Sequence, residues 1–183
     1  KYVATAGSDS ASDCIDCVPG KYKVAVGSVT PASCIDCAAG KQSTLAGSSD
    51  SANCIYCVAG KYVSMTGSTG CIDCAAGKYL PSIGNTNALA CIDCIAGRYL
   101  DVTGGGPASD CIVCVVGRYV TTAGAVDCVD CEAGKYSDTV ENSIGCIDCV
   151  PGKYVVATTS DEASDCIECV AGKWSSTAGE EHE

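Results

Sequence analysis

Phenylalanine is missing from this chain, and methionine, tryptophan and histidine occur once each. Segments of about 20 residues without large apolar side chains cannot each bury a sizeable core, so something other than hydrophobic packing must hold them. The lone histidine, His182, sits in an acidic tail. It leaves no Ser/His/Asp or Cys/His arrangement to assemble, and the chain reads as non-enzymatic. Positive charge is scarce: 11 Lys and Arg stand against 22 Asp and Glu, for a net charge of −11. Contact with a phosphate backbone runs on clustered Lys and Arg, so nucleic acid is not an expected partner. No apolar run reaches the length that a bilayer span requires.

What is present in quantity is cysteine, 18 of 183 residues, with 21 glycines and many Ser and Thr. That cysteine level signals a disulfide scaffold. All 18 fall into nine Cys-x-x-Cys clasps, which start at Cys14, Cys34, Cys54, Cys71, Cys91, Cys111, Cys128, Cys146 and Cys166. Successive starts are 20, 20, 17, 20, 20, 17, 18 and 20 residues apart. Length varies only between the aromatic position and the next clasp, where a surface loop tolerates deletion. The expected fold class is therefore small, disulfide-rich and all-β or irregular: an elongated tandem-repeat rod over residues 1–183. Neither end carries a capping repeat and no signal peptide precedes Lys1, so the chain is expected to be an excerpt of a longer array.

A glycine follows each clasp by three residues, from Gly20 to Gly172, which implies a positive φ or a close backbone approach. A second glycine comes seven residues later (Gly27, Gly47, Gly67, Gly84, Gly104, Gly124, Gly179), replaced by Glu141 and Thr159 in two repeats. Between them, stretches such as KYVSMT and RYVTTA carry β-branched and aromatic residues and predict short strands, with the clasp as a second extended piece. An aromatic recurs at Tyr2, Tyr22, Tyr62, Tyr79, Tyr99, Tyr119, Tyr136, Tyr154 and Trp174, with Gln42 the exception. Packing of each ring on a neighbouring disulfide accounts for this column better than a carbohydrate platform does. Ten of the eleven basic residues follow the first glycine position, and most clasps hold an acid, with Tyr56 and Val113 the exceptions. Those two columns are expected to pair along the array.

The clasps admit three chemistries. Zinc ribbons use similar spacing, but nine clasps leave one over when paired into four-thiolate sites. A thioredoxin-like redox clasp needs a β-α-β setting that is not visible. Calcium needs six or more oxygens, and each clasp offers one carboxylate. Metal and cofactor are thus expected to be none, and structural disulfides are the leading reading. A period-one ladder would join Cys17–Cys34, Cys37–Cys54, Cys57–Cys71, Cys74–Cys91, Cys94–Cys111, Cys114–Cys128, Cys131–Cys146 and Cys149–Cys166. It would leave Cys14 and Cys169 for partners outside the excerpt. Joining the first cysteine of one clasp to the second of the next is the rival pattern.

The unit Cys-x-x-Cys-x-x-Gly-Lys-Tyr-…-Gly-…-Cys-x-x-Cys, as in CVPGKYKVAVGSVTPASC from Cys17 to Cys34, resembles the repeats called ephrin-receptor-like. It is also similar to the first half of tumour necrosis factor receptor cysteine-rich modules. The resemblance covers all nine repeats and implies an extracellular, elongated, disulfide-stapled chain with a loop of the Cys17-to-Cys34 kind. The chain departs from the receptor modules in lacking their additional crossed cysteines and in its uniformity.

Two functions follow. The first is a structural extracellular component of a filament, appendage, stalk or surface coat, which self-associates and carries O-linked glycans on its Ser/Thr loops. No Asn-x-Ser/Thr sequon occurs for N-glycans. The second is a receptor or adhesin ectodomain that binds through its irregular places: Tyr56, the SIGNTNALA loop at Ser82 to Ala90, and Gly104 to Pro107.

Overall fold

The computed structural model describes residues 2–3, 10, 13–25, 27, 30–140 and 143–174. Lys1, Glu141, Gly179 and His182, singled out above, lie outside these. Among the described residues there is no α-helix, and regular structure is confined to two-residue strands and three-residue 3₁₀ turns. The protein is small, disulfide-rich and strand-dominated.

Nine antiparallel strand pairs lie along the described residues, and eight of them are closed by one disulfide each. The strand Lys61–Tyr62 pairs with Ile72–Asp73, with Lys61 opposite Asp73 and Tyr62 opposite Ile72. The same register recurs in Lys78–Tyr79 with Ile92–Asp93, Arg118–Tyr119 with Val129–Asp130, and Lys135–Tyr136 with Ile147–Asp148. Because side chains alternate across a strand, each of these four hairpins puts a charged pair on one face and a Tyr–Ile or Tyr–Val pair on the other.

Variation in repeat length has a simple structural form. The 20-residue repeats carry a 3₁₀ turn just before the clasp: Pro31–Ser33, Ser51–Asn53, Ala88–Ala90, Ala108–Asp110 and Ala163–Asp165. The 17-residue repeats have none there, and their disulfides span 14 residues where the longer ones span 17. Side chains begin two of these turns. The Asp50 carboxylate accepts from the Ala52 N–H, and the Asn87 amide oxygen accepts from the Leu89 N–H, both at 2.9 Å.

The chain divides into two compact units. The first comprises Lys1–Cys74, Leu80–Cys91 and Gly104–Pro107; the second comprises Ala75–Tyr79, Ile92–Thr103 and Ala108–Glu183. Within the first, backbone bonds join each repeat to the next in a fixed pattern. Gly40 N donates to Val63 O at 2.9 Å, Val63 N to Asn85 O at 3.0 Å, Cys57 N to Gly40 O at 2.9 Å and Gly67 N to Cys37 O at 2.8 Å. Within the second the pattern repeats. Gly77 N donates to Leu100 O, Leu100 N to Ala125 O, Cys94 N to Gly77 O and Gly124 N to Cys94 O, all at 2.8–3.1 Å. Four backbone bonds per step leave few buried polar groups to satisfy by other means.

The core is correspondingly thin. It consists of cysteine sulfurs and the side chain that follows the aromatic. In the second unit Cys94, Leu100 and Cys111 form one cluster, Cys114, Val120 and Cys128 another, and Cys149, Val155 and Cys166 a third. Tyr79, Tyr99 and Tyr136 are half-buried against these three clusters in turn. The aromatic column thus packs on the disulfide of the following repeat, the largest apolar contact available to it.

Candidate functional site

The residues that define this chain chemically are its cysteines. Sulfur–sulfur bonds join Cys17–Cys34, Cys37–Cys54, Cys57–Cys71, Cys74–Cys91, Cys94–Cys111, Cys114–Cys128, Cys131–Cys146 and Cys149–Cys166. Their Cα atoms lie 5.5–5.8 Å apart, the spacing of an ordinary disulfide. The clasp residues lie extended in a strand pair, which points the two cysteines of one clasp toward different neighbours. Sixteen thiols are consumed in this way, so they offer no thiolate to a metal. Cys14 and Cys169 carry no disulfide here and are partly exposed.

The charged columns meet as rungs. Lys21–Asp36, Lys61–Asp73, Lys78–Asp93, Arg118–Asp130 and Lys135–Asp148 pair at 2.5–2.7 Å. Hydrogen bonding to Asp130 raises the Arg118 pKa above its ordinary value, and bonding to Asp148 does the same for Lys135. The aspartates have a second contact. The Cα of the next repeat's second glycine lies so close that a Cβ on Gly47, Gly67, Gly104 or Gly124 would stand 2.5–2.7 Å from the Oδ1 of Asp16, Asp36, Asp73 or Asp93. Carboxylate, lysine and glycine backbone therefore form one joint between adjacent repeats.

Two rungs are built differently, at the two positions where the clasp acid is replaced. Opposite Lys41 stands Tyr56, and the ammonium lies 4.2 Å from the ring centroid in a cation–π contact. The Tyr56 ring also lies against Gly84 of the Ser82–Ala90 loop, where a Cβ would stand 2.6 Å from its Cδ1. The structure thus brings together two of the irregular places named from sequence, and Ile83 and Leu89 of the same loop are exposed. Opposite Arg98 stands Val113, and one guanidinium N–H donates to the Cys111 carbonyl at 3.1 Å.

Several structurally important residues had no sequence signal read from them. Lys23, the one basic residue outside the column, is buried, as are Ser43 and Ser137, all at the position that holds Val or Leu in other repeats. Ser137 Oγ hydrogen-bonds Ser143 Oγ at 2.8 Å, and Ser143 Oγ donates to Arg118 O at 2.7 Å. Ser43 Oγ has no hydrogen-bond partner among the described residues. The spacing from the aromatic is the signal that would have found all three.

Comparison with protein families matches residues 60–111 to the model described as tyrosine-protein kinase ephrin type A/B receptor-like. Over those residues the chain is similar to that family. The matched segment contains two complete clasps, the first cysteine of a third and the disulfides Cys74–Cys91 and Cys94–Cys111, and the described residues on either side carry the same strand pairs and disulfides. The chain is a cysteine-rich tandem-repeat array. No curated protein matches it. The family is a receptor-like cysteine-rich domain and not an enzyme family, and together with eight disulfides it indicates an extracellular or secreted protein. No helix among the described residues is long and apolar enough to cross a membrane.

Proposed function

We propose that residues 1–183 act as one continuous structural array: a disulfide-stapled, non-enzymatic rod in an extracellular filament, appendage, stalk or surface coat. The observation that carries this reading is the sameness of the joint. Each repeat step within either compact unit uses the same backbone donors, the same disulfide connectivity and, at five rungs, the same Lys/Arg–Asp pair. A surface shaped for one ligand needs particular side chains at one place, whereas a load-bearing element needs every joint equally strong. Chain association into a coat and O-glycans on the exposed Ser/Thr loops belong to this reading. Electron microscopy of native material kept free of reductant tests it. Filaments with a regular axial repeat support it, and isolated short particles of uniform length count against it.

A receptor or adhesin ectodomain is the second reading. It is favoured by the cluster of Lys41, Tyr56 and the Ser82–Ala90 loop, with Ile83 and Leu89 left exposed beside it. Isolated particles in the micrographs, with a ligand whose binding is lost on Tyr56→Ala, would move the assignment here.

A further inference from the structure

Replacement of the clasp acid by Val113 leaves a distinctive group in the second compact unit. At Arg118 the guanidinium is engaged by Asp130 at 2.5 Å and by Asp127 at 3.5 Å. Arg98 has Val113 across the strand, and the interaction described for it is a single N–H bond to a backbone carbonyl. A guanidinium has five N–H donors in a planar fork that matches a carboxylate. Arg98 also stands in the wall of a groove of about 390 Å³, completed by Tyr79, Ile95, Ala108, Ser109 and Cys111. That volume lies in the range of small-molecule sites, although at its lower end. The mix of a few polar groups with aromatic and aliphatic walls is also typical of them. Ser109 adds a hydroxyl that can donate or accept.

We propose that this groove binds a small carboxylate carried on a ring or apolar body about the size of a monosaccharide. The carboxylate takes the place that Asp130 takes at Arg118, accepting two N–H bonds from the Arg98 guanidinium. The body lies against the Tyr79 ring, Ile95 and Ala108, with Ser109 meeting a polar substituent. Lysine would supply charge without the fork, and arginine is what stands at this position. The proposal does not depend on the array being a filament element.

The test is a titration of the intact, oxidised chain with sodium glucuronate and, separately, N-acetylglutamate, with glucose as the uncharged control. Binding is followed by backbone amide shifts. Saturable shifts at Tyr79, Arg98 and Ser109 with either carboxylate, and none with glucose, are expected. A response to glucuronate alone assigns a sugar acid as the source, and a response to N-acetylglutamate alone assigns a peptide carboxylate. Arg98→Gln should weaken binding at least tenfold, since a charge-assisted bond is lost. Val113→Asp should weaken it as much by supplying an internal carboxylate, and it does so while restoring the ordinary rung, which protects the fold. No saturable response to either carboxylate, an equal response to glucose, or undiminished binding by Val113→Asp overturns the proposal.

Discussion

Gly124 and Thr159 occupy the same place in two repeats of the second unit, and the backbone treats them alike. Gly124 has φ 77° and its N–H donates to Cys94 O at 2.8 Å; Thr159 has φ 64° and its N–H donates to Cys131 O at 3.1 Å. In both, the carbonyl lies beneath the first glycine of an earlier repeat: Gly124 O under Gly77, Thr159 O under Gly117. A β-branched residue does not choose the left-handed region for itself. The joint between repeats imposes it, and the cost is borne because the hydrogen bond and the close carbonyl contact are retained. Glycine at this position is therefore a convenience, whereas glycine at the first position is a requirement.

The largest expected effect tests that distinction directly. Gly77 has φ 81°, and a Cβ there would be driven into the Gly124 carbonyl, well inside contact distance. Gly152 has φ 84°, yet a Cβ there would meet none of the described residues within 4 Å. Gly77→Ala should cost about 3 kcal/mol or more, since backbone must move as well as adopt strain. Gly152→Ala should cost only about 1–2 kcal/mol, the left-handed penalty alone. Denaturant unfolding without reductant measures both. Equal losses would mean that close approach between repeats is not what the first glycine serves.

Next in size is the buried serine. Ser43 is 2% exposed and its hydroxyl has no partner among the described residues, whereas Ser137 at the equivalent place is satisfied by Ser143. Val63, Val120 and Val155 fill the same position in other repeats. Ser43→Val should stabilise by about 1–2 kcal/mol, removing an unmade hydrogen bond and burying apolar area. Ser137→Val should gain less, because it removes a made hydrogen bond to Ser143, whose hydroxyl keeps its bond to Arg118 O. Thr159→Gly follows, with a gain of about 1 kcal/mol: strain is relieved, less the extra chain entropy of glycine. A midpoint unchanged by Thr159→Gly would mean the threonine side chain contributes something that offsets its backbone.

The same comparison explains what the sequence could tell. Positive φ at the first glycine was legible because a residue without a Cβ stands at one offset from every clasp. The extent of the strands was not. KYVSMT looks like six strand residues, but only Lys61–Tyr62 is strand, because the Val63 N–H turns away to Asn85 of the next repeat. Bonds of that kind join backbone to backbone and leave no mark on side-chain identity. Repeat length was readable as loop deletion, but that the missing residues are a 3₁₀ turn depends on geometry that many sequences share. Of the irregular places, Tyr56 and the Ser82–Ala90 loop are far apart in sequence. Their contact is set by the offset between the clasp side chain and the second glycine one repeat on, and that offset emerges only in the folded joint. The Arg98 groove was signalled faintly, by Val113 breaking the acid column.

The smallest effect belongs to the rungs, whose periodicity is the most conspicuous after that of the cysteines. Lys135 and Asp148 lie 2.5 Å apart with side chains 37% and 47% exposed. Solvent screening at that exposure limits an ion pair to a few tenths of a kcal/mol. The Lys135 pKa is raised above its ordinary 10.5, chiefly by the hydrogen bond from its ammonium to Asp148. A raised pKa means that the folded state holds the proton more tightly than the unfolded one. The contribution is therefore complete below pH 10.5 and is lost as pH climbs through the raised value. Lys135→Met should accordingly lower stability by no more than a few tenths of a kcal/mol at pH 7 and leave its pH profile flat from 6 to 9. A loss of several times that size at neutral pH would show that the rung acts through the joint, by holding Asp148 in place, and not through its own charge.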